Sequence, residues 1–143
     1  MLEVHLPFLL HLLGSERTER GAGSGFRIVP LLVGEASDMQ VMHTLNRVWG
    51  GQETLIVVSS DLSRSVERHA TDRRNRETAR HILDGRIEAI GMQDACGHIA
   101  IRALMHLAWA HRIHPRLLEL GSTGDGATGA GTASVGYGSF IYG

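Results

Sequence analysis

Cys96 is the only cysteine in 143 residues. It stands in the run Asp94-Ala95-Cys96-Gly97-His98-Ile99-Ala100, where Asp94 is a good helix N-cap and an apolar pattern starts directly after it. On a helix over about 95–112, Cys96, Ile99, Ala100, Ala103, Leu104, Leu107 and Ala110 share one side. The thiol then falls in the first turn, facing inward. There the helix N-terminus favours a thiolate, the form that binds metal or attacks a substrate. A cysteine also suits the interior as a small apolar residue. This segment leaves packing, ligation and nucleophilic roles open.

A second set of chemical groups is Ser59-Ser60-Asp61, at the end of the apolar run Thr54-Leu55-Ile56-Val57-Val58. If that run is a parallel strand, the triplet stands at its carboxyl end, where ligands bind in open α/β sheets. Asp61 could orient a base, hold a metal-bound water or accept a substrate hydrogen bond. Equally, Asp61 or Ser63 could cap the following helix. Neither serine has the Gly-x-Ser-x-Gly setting of an esterase nucleophile. Gly124, Gly126 and Gly129 spell GxGxxG, but a strand follows them where a dinucleotide fingerprint needs a helix. The nine histidines include no HExxH or similar pairing. On the Cys96 helix, His98 points opposite the thiol, and His106 and His111 lie turns away. Glu3 and His5, two residues apart, diverge on a helix.

Positioning these groups falls to an alternation of apolar runs and helical patterns. Residues 2–13 read as an apolar helix, buried, with Pro7 tolerable near its first turn. Residues 26–33 and 54–60 read as buried strands, Pro30 implying a bulge or an edge. Between them Ser37 can cap a helix carrying Met39, Met42, Leu45 and Trp49, closed by Gly50-Gly51. Strand, helix and strand joined this way make a βαβ unit with a parallel pair. A polar helix over roughly 64–84 presents Arg73, Arg74, Arg76 and Arg80 on a solvated face. Residues 117–120 and 134–142 complete the set as strands. The expected fold class is α/β, a mostly parallel sheet with flanking helices, in a single domain over 1–143.

Composition narrows the function. Apolar residues make up 43% and charged residues 20%, as in a folded water-soluble chain. A net charge of −1 argues against nucleic acid, whose phosphates call for a basic surplus. All 14 basic residues are arginine, which excludes a Walker-type phosphate loop and a lysine Schiff base. The N-terminus lacks the basic start and small-residue cleavage site of a signal peptide, and its apolar run is too short to span a bilayer. A cytoplasmic protein with no membrane partner is expected. A single cysteine is compatible with a reducing compartment.

Several segments, in order, resemble the Memo family, also called AmmeMemoRadiSam system protein B. They are Leu2-Glu3-Val4-His5-Leu6-Pro7-Phe8, Ile28-Val29-Pro30-Leu31-Leu32-Val33-Gly34, Val57-Val58-Ser59-Ser60-Asp61-Leu62-Ser63, Ala95-Cys96-Gly97, Gly124-Asp125 and Val135-Gly136-Tyr137. The resemblance implies one half of a fold similar to the extradiol, non-haem iron dioxygenases, with a metal site in a cleft. In that family two histidines from the N-terminal half and a cysteine in an ACG-like motif hold the metal. Cys96 matches that cysteine, so it becomes the metal donor. Glu3, His5, Ser59, Ser60, Asp61 and Arg64 become the pocket residues. The matching segments start where the family's second half starts, so both histidine ligands are expected to lie outside this chain. Arg64 stands where the family carries the histidine of SSDLSH. Its fork would repel a cation or hold an anion.

Three functions follow. One is a Memo-like protein with a partial metal pocket for iron, another divalent ion or copper. It would not be catalytic alone, its other half being an N-terminal-half polypeptide encoded separately. The second is a metal-free binding or interaction module that forms a homo-oligomer or pairs with a separate N-terminal half. The third is a hydrolase or transferase dependent on Cys96, which requires a nearby histidine. No catalytic set is assigned from sequence.

Overall fold

The computed structural model describes residues 2–13, 26–123 and 133–143. The chain divides into two compact units, Met1–Leu32 and Val33–Gly143. In the first, α1 (Leu2–Leu13) forms as expected, with Pro7 inside it. The expectation of burial fails: Val4, Phe8, Leu10 and Leu12 are all exposed.

In the second unit, α2 (Asp38–Arg47) starts at Ser37 as the sequence indicates. Ser37 and Gln40 form a reciprocal capping box, the serine hydroxyl taking the Gln40 N–H and the glutamine oxygen taking the Ser37 N–H. The helix closes at Val48, two residues before the glycines that were expected to end it. Its apolar face brings Leu45, Val41 and Met42 onto Ala103 and Leu107 of α4 (His98–Ala110). A second cluster joins Ile82, from α3 (Arg68–Leu83), with Ile90 and Met105. Between α3 and α4 lies a short 3-10 turn at Ile87–Ala89.

α4 is therefore covered on two sides. Its buried residues are Ala103, Met105, Leu107 and Ala108 rather than the single stripe expected. A helix packed on two faces shows no clean one-sided period. On α3 the reading holds: Arg73, Arg74, Arg76 and Arg80 are exposed, while Thr71, Asn75, Thr78, Ala79 and Ile82 are buried.

The sheet differs most from expectation. It has three strands in the order β1-β3-β2, all antiparallel, with β1 at Arg64–Ser65, β2 at Pro115–Ser122 and β3 at Ser134–Tyr142. The mostly parallel sheet is thus overturned. Residues 26–33 and 54–60 form no strand, and no βαβ unit is present among the described residues. Ile28, Val29, Leu31, Leu32, Leu55 and Val57 remain exposed. Their β-branched apolar composition suits a strand, but strand formation needs a backbone partner, which composition does not provide. β2 and β3 are local along the chain and find each other, with a register shift between Leu117 and Glu119.

Candidate functional site

The segment after Val58 is pinned from two sides. On one side the Leu62 N–H donates to the Gly136 carbonyl at 3.0 Å, and the Gly136 N–H donates to the Ser63 carbonyl at 2.8 Å. On the other side Leu62 forms an antiparallel bridge with Ala95, and the Cys96 N–H donates to the Asp61 carbonyl at 3.2 Å. Leu62 itself is buried at 6% exposure. Below it, buried Ser63 donates to Asn75 Oδ1 at 2.7 Å, tying the segment to α3. These bonds, rather than strand propensity, fix the position of residues 60–65.

The result is a cleft of about 520 Å³ whose walls include Asp61, Arg64, Ser65, Arg74, Gln93 and Cys96. Of the residues expected to form the site, Asp61, Arg64 and Cys96 line this cleft, while Ser60 is not one of its walls but lies 3.4 Å from Cys96 Sγ. Ser59 lies near Gly97, its carbonyl oxygen 3.5 Å from where a Gly97 Cβ would be. Glu3 and His5 belong to α1, in the other unit, with Glu3 exposed and His5 half-buried.

Cys96 is exposed and lies just outside α4, which starts at His98 with Gly97 as its N-cap. The inward-facing first-turn thiol is therefore corrected. Asp94 does not cap the helix either. Its Oδ2 accepts the Gly91 N–H at 2.9 Å and its Oδ1 faces Arg74 Nη1 at 3.3 Å. Nor do Asp61 or Ser63 cap α3, whose N-cap is Glu67 without a side-chain bond. Gly97 has a specific reason to be glycine. A Cβ there would come within 2.8 Å of Ser60 Cβ, closer than real side chains approach.

That close approach sets the chemistry at sulfur. Ser60 Oγ donates to the Asp61 carbonyl at 2.7 Å and accepts the Gly97 N–H at 2.8 Å. It lies 3.4 Å from Cys96 Sγ. A hydroxyl has one proton. With that proton on the Asp61 carbonyl, Ser60 meets the sulfur as an acceptor and the Cys96 S–H donates. A thiolate in the same place would require Ser60 to turn its O–H away from the backbone. No histidine lines the cleft, so Cys96 lacks the imidazole partner of a cysteine–histidine pair there.

Does the cleft fit a metal? The exposed sulfur is a suitable donor, but a firmly held iron or zinc needs about three protein ligands. Asp61 is the carboxylate lining the cleft, and Arg64 Nη2 already faces it at 3.6 Å. Among the described residues, the grouping of three potential donors lies elsewhere, at Asp38, Glu88 and His106. There the cation is already supplied. Arg102 Nη2 stands 2.7 Å from Asp38 Oδ2 and 2.6 Å from Glu88 Oε2, with His106 Nε2 3.6 Å from Asp38. Burial works to raise the Asp38 carboxyl, but the Arg102 charge, the Met39 N–H and His106 outweigh it and hold the group below its ordinary value. The residues of neither place fit a metal on their own.

Sequence reading missed this Arg102 cluster and missed Arg74 as a wall of the cleft. Both depend on residues 14 or more positions apart, and no local spacing announces them. A second cavity of about 650 Å³ is bounded by Trp49, Leu55, Ile101, Leu104, Phe140 and Tyr142 among others. Burial pushes the Tyr142 phenol up to about 12. The GxGxxG run lies outside the described residues. No helix among the described residues is long and apolar enough to cross a membrane. No protein-family model matches the sequence, and no curated protein and no solved structure matches it either.

Proposed function

We propose that this chain is a Memo-like pocket protein, related to the non-haem iron dioxygenases and not catalytic alone. Its cleft forms one wall of a site that a separate N-terminal-half polypeptide completes. The supporting observation is a contact between two family-like motifs 36 residues apart. Ser60 touches Cys96, and the Asp61 carbonyl takes the Cys96 N–H. On this reading Cys96 is the chain's one sulfur donor toward a shared iron, or another divalent or copper ion, and the remaining donors come from outside residues 1–143. The setting is cytoplasmic, with neither nucleic acid nor membrane as partner.

Anaerobic titration with ferrous iron tests the reading, using the chain, a Cys96→Ser variant, and the chain mixed with a histidine-bearing N-terminal-half polypeptide. The chain alone should show no saturable binding that depends on Cys96. The mixture should show it. Stoichiometric binding by the chain alone, or none in the mixture, overturns the shared site.

One observation favours a metal-free binding module as a second reading. Two guanidiniums, Arg64 and Arg74, line the cleft against one carboxylate. A hydrolase or transferase built on Cys96 has less support, since no histidine lines the cleft beside the thiol.

A further inference from the structure

We infer that the cleft binds a small oxyanion, a carboxylate or phosphate group, between the guanidiniums of Arg64 and Arg74. The inference rests on the cleft alone and stands or falls separately from the shared metal site.

Arg64 leaves β1 and Arg74 leaves the middle of α3, so two elements aim cations into one hollow. Arg64 is barely engaged. Among the described residues its only charged partner is Asp61 at 3.6 Å, beyond hydrogen-bond reach, and its side chain is 63% exposed. Arg74 uses Nη1 alone, toward Asp94 at 3.3 Å and Gln93 at 3.2 Å. That leaves its Nη2 and Nε without an acceptor among the described residues. Asp94, in turn, gives its other oxygen to the Gly91 N–H.

A guanidinium carries five N–H donors in a planar fork that matches two oxygens of a carboxylate or phosphate. Most of the donors on these two forks are unused among the described residues, and the neutral walls add the hydroxyl-bearing Ser65 and the amide of Gln93. A cation entering here would meet two like charges against the single Asp61 carboxylate, and a neutral apolar molecule would strip water from two forks without replacing it. An oxyanion satisfies both. The volume of about 520 Å³ is that of a small-molecule site rather than a macromolecular groove.

The exposed thiol in the same cleft offers a direct readout of the local field. Cys96 is alkylated in the full chain, with a chelator present, by neutral iodoacetamide and by anionic iodoacetate. The iodoacetate-to-iodoacetamide rate ratio should exceed that of a free thiol by about threefold or more. Arg64→Gln and Arg74→Gln should each cut the excess, while Arg76→Gln, on α3 but outside the cleft, should leave it. Inorganic phosphate should slow the iodoacetate reaction more than chloride at equal ionic strength. A ratio equal to that of a free thiol overturns the inference. So does an equal loss in Arg76→Gln, which would mean overall charge, or phosphate protecting no better than chloride. Far-ultraviolet circular dichroism confirms that each variant is folded before its rates are compared.

Discussion

Residues 54–58 and 60–65 are neighbours in sequence and opposites in structure. The first, Thr-Leu-Ile-Val-Val, has the composition of a buried strand, yet Leu55 and Val57 are exposed and no strand forms. The second is polar, with three serines and an arginine around Asp61 and Leu62, yet it carries β1 and buries Leu62 and Ser63. The difference is the backbone partner. Residues 60–65 find Gly136 on one side and Ala95-Cys96 on the other, which satisfies the Leu62 N–H and the Asp61 and Ser63 carbonyls. Local preference is worth tenths of a kcal/mol per residue, whereas a buried backbone group without a partner costs more than about 1 kcal/mol.

This contrast can be broken at its strongest point first. Leu62→Ala should cost about 3 kcal/mol in urea denaturation, because the side chain is buried at the centre of the pinned segment. Gly136→Ala should cost about 2–3 kcal/mol, since a Cβ there would overlap the Asn75 amide. Shortening Asn75 to Ala should relieve that overlap. The double variant should then be less destabilised than the sum of its parts, and a strictly additive cycle would show that the two do not touch in solution.

The Arg102 clasp, which pins no strand, should be somewhat weaker. Arg102→Met should cost about 2 kcal/mol at neutral pH by leaving Asp38 and Glu88 without their cation. The folded pKa of Asp38 is lowered from its ordinary 3.8, so its contribution is fully present above that value. It is lost as the pH falls through the lowered folded value. The gap between wild type and variant should therefore narrow in acid, which thermal melts at neutral pH and below pH 4 would show. Gly97→Ala should cost about 1 kcal/mol and, by pushing Ser60 off, change the rate of Cys96 alkylation. Val57→Ala should change stability by less than about 0.5 kcal/mol, because its side chain is exposed in an unpaired segment. A cost like that of Leu62→Ala would mean that residues 54–58 are paired in solution.

Much of the helical content was legible. Ser37 marks the start of α2 by a capping rule that acts over a few residues, and the arginines of α3 face solvent as their density suggests. β3 runs over Ser134–Tyr142, where alternation indicated it. The strands expected from residues 26–33 and 54–60 were misread because an apolar run carries no information about its partner. Cys96 was placed one turn too deep, since Asp94 is a good cap by type but its oxygens are taken by Gly91 and Arg74.

Sequence alone determined what depends on near neighbours: helix starts, the polarity of α3, the solitary thiol and the motifs around Asp61 and Cys96. Tertiary structure alone decided which strands pair, that Ser60 holds the Cys96 sulfur, and that Arg74 joins Arg64 in one cleft. The physical reason is range. Caps and periodicity are set within a turn or two of chain, whereas ladder bonds and ion pairs depend on segments that become neighbours only when the chain folds.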